Sequence, residues 1–150
     1  MSLPTCALTT SANLTIAAAT AKTILALVAD ANAALIVPEL SFSFGGTAVD
    51  GDQVTCTVLR SGSGGTGTPR SPVRMSAIHS GSVQASGLEN YSTNPSGGVE
   101  IFREIVHPQV GYTWKPPGGI ELKEGEMLEM RCLCATLMTN LVAGRMVFRE

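Results

Sequence analysis

Charge is scarce in this sequence, and the positive and negative charges nearly balance. Charged residues make up 15% of the 150 residues, and ten Lys and Arg stand against twelve Asp and Glu, which gives a net charge of −2. Proteins that bind nucleic acids draw much of their affinity from an excess of basic residues. Because this chain has no such excess, we expect no nucleic acid among its partners.

The sequence also lacks a long hydrophobic run that is free of charge. Its longest apolar stretch runs from Leu14 to Val37 and contains Lys22 and Asp30, which make insertion into a bilayer costly. A secretory signal begins with basic residues, whereas the first Lys or Arg of this chain is Lys22. We expect no membrane partner and no export from the cell in which the protein is made.

Residue spacings that are typical of metal sites are missing. The four cysteines, Cys6, Cys56, Cys132 and Cys134, include no C-x-x-C pair. Cys132 and Cys134 have the spacing that places two thiols on one face of a strand. There they could bind a soft metal ion together with Cys56 or a His, or they could act as small hydrophobic core residues. We favour reduced, buried thiols, and we expect no metal ion and no cofactor.

Recognisable catalytic arrangements are missing as well. The two histidines, His79 and His107, lie in no pattern that pairs a base with a nucleophile, and a G-x-S-x-G sequence is absent. His107 precedes Pro108 at a predicted strand end, which is typical of a turn. The sequence Asp50-Gly51-Asp52 is more typical of a hairpin turn than of a calcium loop. We therefore expect no catalytic residue, and we expect that the protein is not an enzyme.

Two further clusters have a simpler interpretation than a binding site. The segment Gly62–Gly67 matches the dinucleotide pattern G-x-G-x-x-G, but Pro69 and Pro72 follow where that site needs a helix. We predict that the Gly-rich segment 61–72 is a mobile loop that folding does not require. Four glutamates around Gly125 are predicted to form a solvated turn and strand edge: Glu121, Glu124, Glu126 and Glu129.

The strongest positive signal is the alternation of apolar and polar residues. It occurs in Leu40–Phe44, in Gln53–Val58 and again in Leu128–Cys134, and Gly, Pro or Asn residues separate most such runs. The Ala-rich segment 16–29 is ambiguous, and its β-branched residues favour strand over helix. We predict an all-β protein with a jelly-roll-like β-sandwich of about eight short strands and long loops.

Apolar residues are abundant for a chain with so little charge. Hydrophobic residues make up 44% of the sequence, and three lysines are few to guard the open edges of a sandwich. Both features predict a homo-oligomer. The aromatic residues Tyr112 and Trp114, beside two prolines, could stack on a sugar or pack at such an interface. With Leu3 and Pro4 near the start of the chain, they are the predicted interface contacts.

Several segments, taken in order, resemble small structural proteins of tailed bacteriophages. They are Thr20–Leu27 followed by Phe44-Gly45-Gly46, then Tyr91–Gly98, His107-Pro108, Pro117–Ile120 with Glu124-Gly125-Glu126, and Met146–Glu150. The family is that of the jelly-roll head decoration proteins, also called cement or auxiliary capsid proteins. The resemblance spans most of residues 15–150 and contains no diagnostic motif.

The resemblance implies a structural virion protein that decorates and stabilises a phage capsid. It implies a homotrimer that binds the lattice of the major capsid protein on the outer surface of the virion, after synthesis in the host cytoplasm. Residues 15–150 would form a single β-sandwich domain. The resemblance does not account for residues 1–14, and an N-terminal arm that reaches a neighbouring subunit would explain Leu3 and Pro4 in this loop-like segment. Two alternatives are a carbohydrate- or receptor-binding module of a phage tail or fibre, and a small β-barrel enzyme with a Cys or His metal site.

Overall fold

The computed structural model describes residues 3–17, 19–45, 53–76, 78, 81–134 and 140–150, with the side chain of residue 140 left out. These residues form thirteen strands and no helix. In chain order they are β1 (Thr5–Thr9), β2 (Leu14–Ile16), β3 (Ala21–Val28), β4 (Leu35–Phe44), β5 (Val54–Arg60), β6 (Thr66–Arg70), β7 (Val73–Arg74), β8 (Ser86–Thr93), β9 (Val99–Val106), β10 (Tyr112–Trp114), β11 (Ile120–Leu122), β12 (Met127–Cys134) and β13 (Asn140–Arg149).

The strands form two antiparallel sheets that pack as a sandwich. The seven-stranded sheet has the order β10-β4-β13-β1-β7, with β11 paired to β4 and β2 paired to β13. The six-stranded sheet has the order β6-β8-β3-β12-β5-β9. Because β3, β4 and β5 alternate between the two sheets, as do β12 and β13, the connections are those of a jelly roll. The predicted fold class is confirmed.

The core lies between the sheets, and alternation explains which residues enter it. In β12, Leu128, Met130 and Cys132 are buried in the core, as the spacing predicts, and in β13 Met146 and Phe148 are buried in the same way. Cys6, Cys56 and Cys134 are buried with them, so the expectation that the cysteines act as buried core residues is confirmed. The segment 16–29 is mostly strand, as predicted, since β3 occupies its second half.

The strands are more numerous than the eight predicted, because several are too short to show alternation. β2, β7, β10 and β11 have two or three residues each. β10 and β11 pair with successive parts of β4, and a turn around Pro116 and Pro117 separates them. Proline lacks an amide hydrogen and is tolerated at such an edge.

The N-terminal segment takes part in the sandwich. β1 lies between β13 and β7, and its five residues pair with Arg149 through Arg145 of β13. Cys6 and Leu8 of this strand are fully buried. The segment 1–14, which was expected to be an arm, therefore contributes the strand Thr5–Thr9 to the seven-stranded sheet of its own chain, where its alternating residues add to the core.

The prediction of a mobile loop over residues 61–72 is wrong. Thr66–Arg70 forms β6, which pairs with β8 at one edge of the six-stranded sheet. Gly67 packs so closely on Tyr91 that an added Cβ would lie 2.9 Å from the ring. The glycines therefore serve close packing here, and the segment is part of the fold. The predicted turn at Asp50-Gly51-Asp52 lies outside the described residues.

Candidate functional site

Two connecting segments cross the outer face of the six-stranded sheet. The first strap, Ser61–Gly65, joins β5 to β6, and the second strap, Asn94–Gly98, joins β8 to β9. In the sheet order both connections pass over β3 and β12. The straps are bonded to each other, since the Ser63 amide donates to the Ser96 carbonyl at 2.9 Å and the Ser96 amide donates back at 3.0 Å.

The second strap is short for the distance that it crosses, and it bends at Gly97, where φ is 74°. It leads across four strand spacings, which is about 19 Å at about 4.8 Å each. Six residue steps from Thr93 to Val99 reach about 20 Å when extended. Asn94 anchors the start of this strap, because its side-chain oxygen accepts from the Thr23 amide and its side-chain nitrogen donates to the Ala21 carbonyl, both at 2.7 Å.

Glu129 lies beneath both straps and is 0% exposed. Its Oε2 atom accepts hydrogen bonds from Thr23 Oγ1 at 2.8 Å and from Arg131 Nη2 at 2.9 Å. Its Oε1 atom has no hydrogen-bond partner among the described residues, and a Cβ added to Gly62 or Gly98 would lie within 3.0 Å of it. The expectation that Glu129 belongs to a solvated edge is wrong, because the two glycine-bearing straps cover it.

Arg131 ties the carboxylate to the second strap. It donates from Nη2 to the carbonyl of Pro95 at 3.0 Å and from Nε to Thr23 Oγ1 at 3.2 Å. Since Thr23 belongs to β3 and Arg131 to β12, the arrangement joins two central strands to the segment above them. This ion pair and its hydrogen bonds hold the second strap against the outer face of the six-stranded sheet.

Tyr91 is buried close to Glu129, and in the described part of the chain its hydroxyl also lacks a hydrogen-bond partner. Burial, with a further contribution from the charge of Glu129, raises the pKa of Tyr91 to about 12. Asn90 has a left-handed φ of 51°, which Asn tolerates and which interrupts the alternation of β8. As a result Leu88 and Tyr91, three residues apart, pack in one cluster with Ala26 of β3.

A second carboxylate fastens the start of the first strap. Glu126 accepts from Arg60 Nε at 2.7 Å and Arg60 Nη2 at 3.0 Å, from the Ser61 hydroxyl, and from the Lys123 amide at 2.9 Å. The hydrogen bonds from Arg60 are the main reason why the pKa of Glu126 falls to about 2. The predicted turn is present, with Glu124 and Gly125 exposed in it, but the carboxylate of Glu126 is not free in solvent, because Arg60 and Ser61 at the end of β5 bond to it.

The lowered pKa of Glu126 predicts an acid-sensitive contribution to stability. We expect the contribution to be fully present above pH 4.5 and to disappear as the pH falls from 4.5 towards 2, where the carboxylate gains a proton in the folded state. Glu126→Gln should lower the free energy of unfolding by about 2 kcal/mol at pH 6 and by almost nothing at pH 2. Urea unfolding across this pH range measures the difference, and a pH-independent difference would contradict the assignment.

Three aromatic rings close the gap between the sheets on one side. Phe102 of β9 stacks on Trp114 with ring centroids 4.2 Å apart and on Tyr112 with centroids 5.6 Å apart. All three are half-buried and pack against the core. Tyr112 and Trp114, the two predicted aromatic contact residues, therefore lie together, and one face of each ring is covered by Phe102.

Apolar side chains are exposed along the outermost strand on that same side. In the described part of the chain β9 pairs only with β5, so its other edge is open. Val99, Ile101 and Ile105, which we name the β9 edge, are between 38% and 63% exposed. β9 also bears Glu100, Arg103 and Glu104, and an open edge strand with exposed apolar side chains is a site where another protein chain can pair.

A second exposed apolar surface lies at the opposite end of the seven-stranded sheet. Leu3, Val73 and Met75, which we name the β7 patch, are between 52% and 65% exposed. Val73 pairs with Ala7, and the Met75 amide donates to the Thr5 carbonyl at 2.9 Å, so the patch lies beside β1. Of the predicted contact residues, Leu3 belongs to this surface and Pro4, half-buried, adjoins it.

The cysteines and histidines form no site in the described parts of the chain. No group of three or more His, Cys, Asp and Glu side chains there is arranged to hold a metal ion. Cys56 and Cys132 lie opposite each other on β5 and β12, and burial raises the pKa of the Cys132 thiol well above its usual range. His107 begins a turn, as predicted, with its carbonyl accepting from the Val110 amide at 3.1 Å, and His79 lies outside the described residues.

Surface hollows gather few charged groups. One of about 310 Å³ lies beside Tyr91 and has Lys22 as its charged lining residue. Another of about 160 Å³ lies beside Glu100, Arg103 and Arg131. Arg103 forms an ion pair with Glu100, and Arg131 forms one with Glu129. The described ranges contain no helix that is long and apolar enough to cross a membrane.

Comparison with known proteins gives little beyond this geometry. No family model matches the chain, and no curated protein matches it. Among solved structures, it is similar to a chain of "Structure of infectious bursal disease virus Gt strain", with 16% identity, a TM-score of 0.28, and coverage of 98% of this chain and 42% of that one. A chain of "The 2.6A structure of Infectious Bursal Virus Derived T=1 Particles" gives 17% identity, a TM-score of 0.28, and coverage of 97% and 39%.

This chain therefore spans about two fifths of the length of those two chains. Scores this low do not establish a shared fold, and the architecture described above stands on the strand pairing alone. The evidence on function is therefore structural. It consists of two exposed apolar surfaces, the β9 edge and the β7 patch, and of two straps that are bonded to the outer face of the six-stranded sheet.

Proposed function

We propose that the protein is a structural virion component that decorates the head of a tailed phage. In this proposal it binds the lattice of the major capsid protein on the outer surface, as a homotrimer, and stabilises the shell. The observation that carries the proposal is the presence of two uncovered apolar surfaces, the β9 edge and the β7 patch. Such surfaces on a soluble sandwich favour a protein that acts through contacts with other protein chains.

The bonding of the two straps to the six-stranded sheet supports the same proposal. Both straps are fastened to the six-stranded sheet by buried or half-buried carboxylates, Glu129 and Glu126, which hold distant segments together. A protein that reinforces a shell must keep its shape under load. Residue types suited to catalysis are not gathered at any of the hollows described above, so the proposal assigns the protein no reaction, no cofactor, and neither a nucleic acid nor a membrane as partner.

The alternative of a carbohydrate-binding or receptor-binding module is less well supported. It depends on Tyr112 and Trp114 as a platform for a sugar ring. These rings stack on Phe102 and pack against the core, which is the arrangement of residues that close a sandwich. A sugar platform needs ring faces that are free to stack on a ligand.

Co-sedimentation with phage heads tests the proposal. Purified protein is mixed with heads of the tailed phage whose genome carries this sequence, prepared without the protein, and with heads of an unrelated phage as the control. We expect saturable pelleting with the first heads alone, and a rise in the temperature at which those heads release DNA. Protein that stays in the supernatant at every concentration would overturn the proposal, and binding on a glycan array would favour the alternative.

A further inference from the structure

We infer that the β9 edge of one copy of this chain binds the β7 patch of the next copy, in a head-to-tail contact. The inference rests on the proposed function in that it names the surfaces through which the proposed homo-oligomer forms. It commits to a second copy of the chain as the occupant of both surfaces. Three observations carry it: the two surfaces lie on opposite sides of the sandwich, their charges are complementary, and they face different directions.

The two surfaces lie on opposite sides of the molecule. Phe102 of β9 stacks on β10, so β9 and β10 share one side of the sandwich. β7 is at the other end of the seven-stranded sheet from β10. The β9 edge and the β7 patch of one copy therefore cannot contact each other, and each is available to another chain. The two pairs of predicted contacts, Leu3 with Pro4 and Tyr112 with Trp114, belong one to each side.

The charges beside the two surfaces are complementary. Arg145 and Arg149 are exposed, pair with Thr9 and Thr5 of β1, and therefore lie next to the β7 patch. Neither forms an ion pair with a described residue. On the other side Glu104 is exposed on β9, also without an ion pair among the described residues. A basic flank on one surface and an acidic flank on the other favour contact between unlike surfaces over contact between like ones.

The two surfaces face away from opposite sheets. In β1 Cys6 and Leu8 point into the core, so Ala7 and its partner Val73 point away from the seven-stranded sheet. Ile101 and Ile105 alternate with Phe102, which packs against the core, so they point away from the six-stranded sheet. The β9 edge and the β7 patch of one copy therefore face in different directions, and each is open to another chain.

Mixing two variants tests the contact. Val73→Asp damages the β7 patch and leaves the β9 edge intact, whereas Ile105→Asp does the reverse. Both side chains are more than half exposed, so we expect the variants to fold, with melting temperatures close to that of the wild type. Light scattering coupled to size exclusion should give a multiple of 15.6 kDa for the wild type, 15.6 kDa for each variant alone, and twice 15.6 kDa for the equimolar mixture.

The mixture separates this contact from every other arrangement. The one intact edge and the one intact patch can meet once and cannot close a ring, so head-to-tail contact gives a heterodimer. Assembly of either variant alone, or a mixture that stays monomeric, would overturn the inference, and so would a monomeric wild type. If a variant unfolds, Met75→Asp or Val99→Asp takes its place, since these side chains are also more than half exposed.

The outcome is distinct from that of the capsid experiment. A wild type that assembles in solution and does not pellet with phage heads would support the contact and overturn the proposed function. A monomeric wild type that pellets with heads would support the proposed function and overturn the contact.

Discussion

Gly87→Ala should lower the free energy of unfolding by about 3 kcal/mol, which is a large part of the stability of a domain of this size. Gly87 lies in β8 between β3 and β6. A Cβ at this position would lie 2.5 Å from the carbonyl oxygen of Arg70 and would also overlap the side chain of Leu8. The carbonyl belongs to the backbone of β6 and cannot retreat without loss of the pairing between β6 and β8.

Gly81→Ala is the matched control for this substitution. The nearest atom to a Cβ at Gly81 is Arg74 Nη2 at 3.5 Å, an ordinary contact, and we expect a change within about 0.5 kcal/mol. Urea unfolding followed by circular dichroism measures both variants. Equal stabilities for Gly87→Ala and Gly81→Ala would show that β6 does not pack against β8 as described.

Glu129→Ala should cost about 3 kcal/mol of unfolding free energy. The substitution removes the acceptor of Thr23 Oγ1 and of Arg131 Nη2 and leaves a void beneath the straps. The loss of stability is limited for one reason. Among the described residues Oε1 has no hydrogen-bond partner in the wild type, so the substitution also removes the free-energy cost of burying an unpaired oxygen. We also expect faster hydrogen exchange at the amides of Ser63 and Ser96, which bond the two straps together.

Glu121→Ala serves as the control, since Glu121 belongs to the same group of glutamates in the sequence but is exposed. It should change the stability by no more than about 0.5 kcal/mol. The strap interpretation would fail if Glu129→Ala matched this control, or if exchange at Ser63 and Ser96 did not change.

The sequence predicted the parts of the fold that alternation governs. The central strands β4, β5, β12 and β13 show it, whereas β3, with five consecutive buried residues, was recognisable only from its β-branched residues. β6 could not be predicted this way, because Thr66–Arg70 has a Gly, a Pro and no large apolar residue. Its place as a strand comes from pairing with β8, about twenty residues later in the chain, and no local signal in the sequence carries that information.

The burial of Glu129 shows the same limit for the candidate site. Alternation in β12 correctly places Glu129 on the face away from the core, and for most sandwiches that face is in water. The cover comes from Gly62 and Gly98, which are remote in sequence and have no side chains to reveal a contact. The aromatic residues were recognisable from the sequence, whereas their partner Phe102 was not, since its strand has few buried residues.

The positions of β12 and β13 have a consequence for the order in which the chain folds. β12 is the central strand that joins β3 to β5, and β13 joins β4 to β1, yet both come late in the sequence. During synthesis the earlier strands therefore leave the ribosome before either sheet has its centre, and their edges stay open until residues 127–149 emerge. The pairing of early strands with late ones also predicts slow folding, in milliseconds to seconds, and makes nascent chains that stall before residue 127 prone to aggregate.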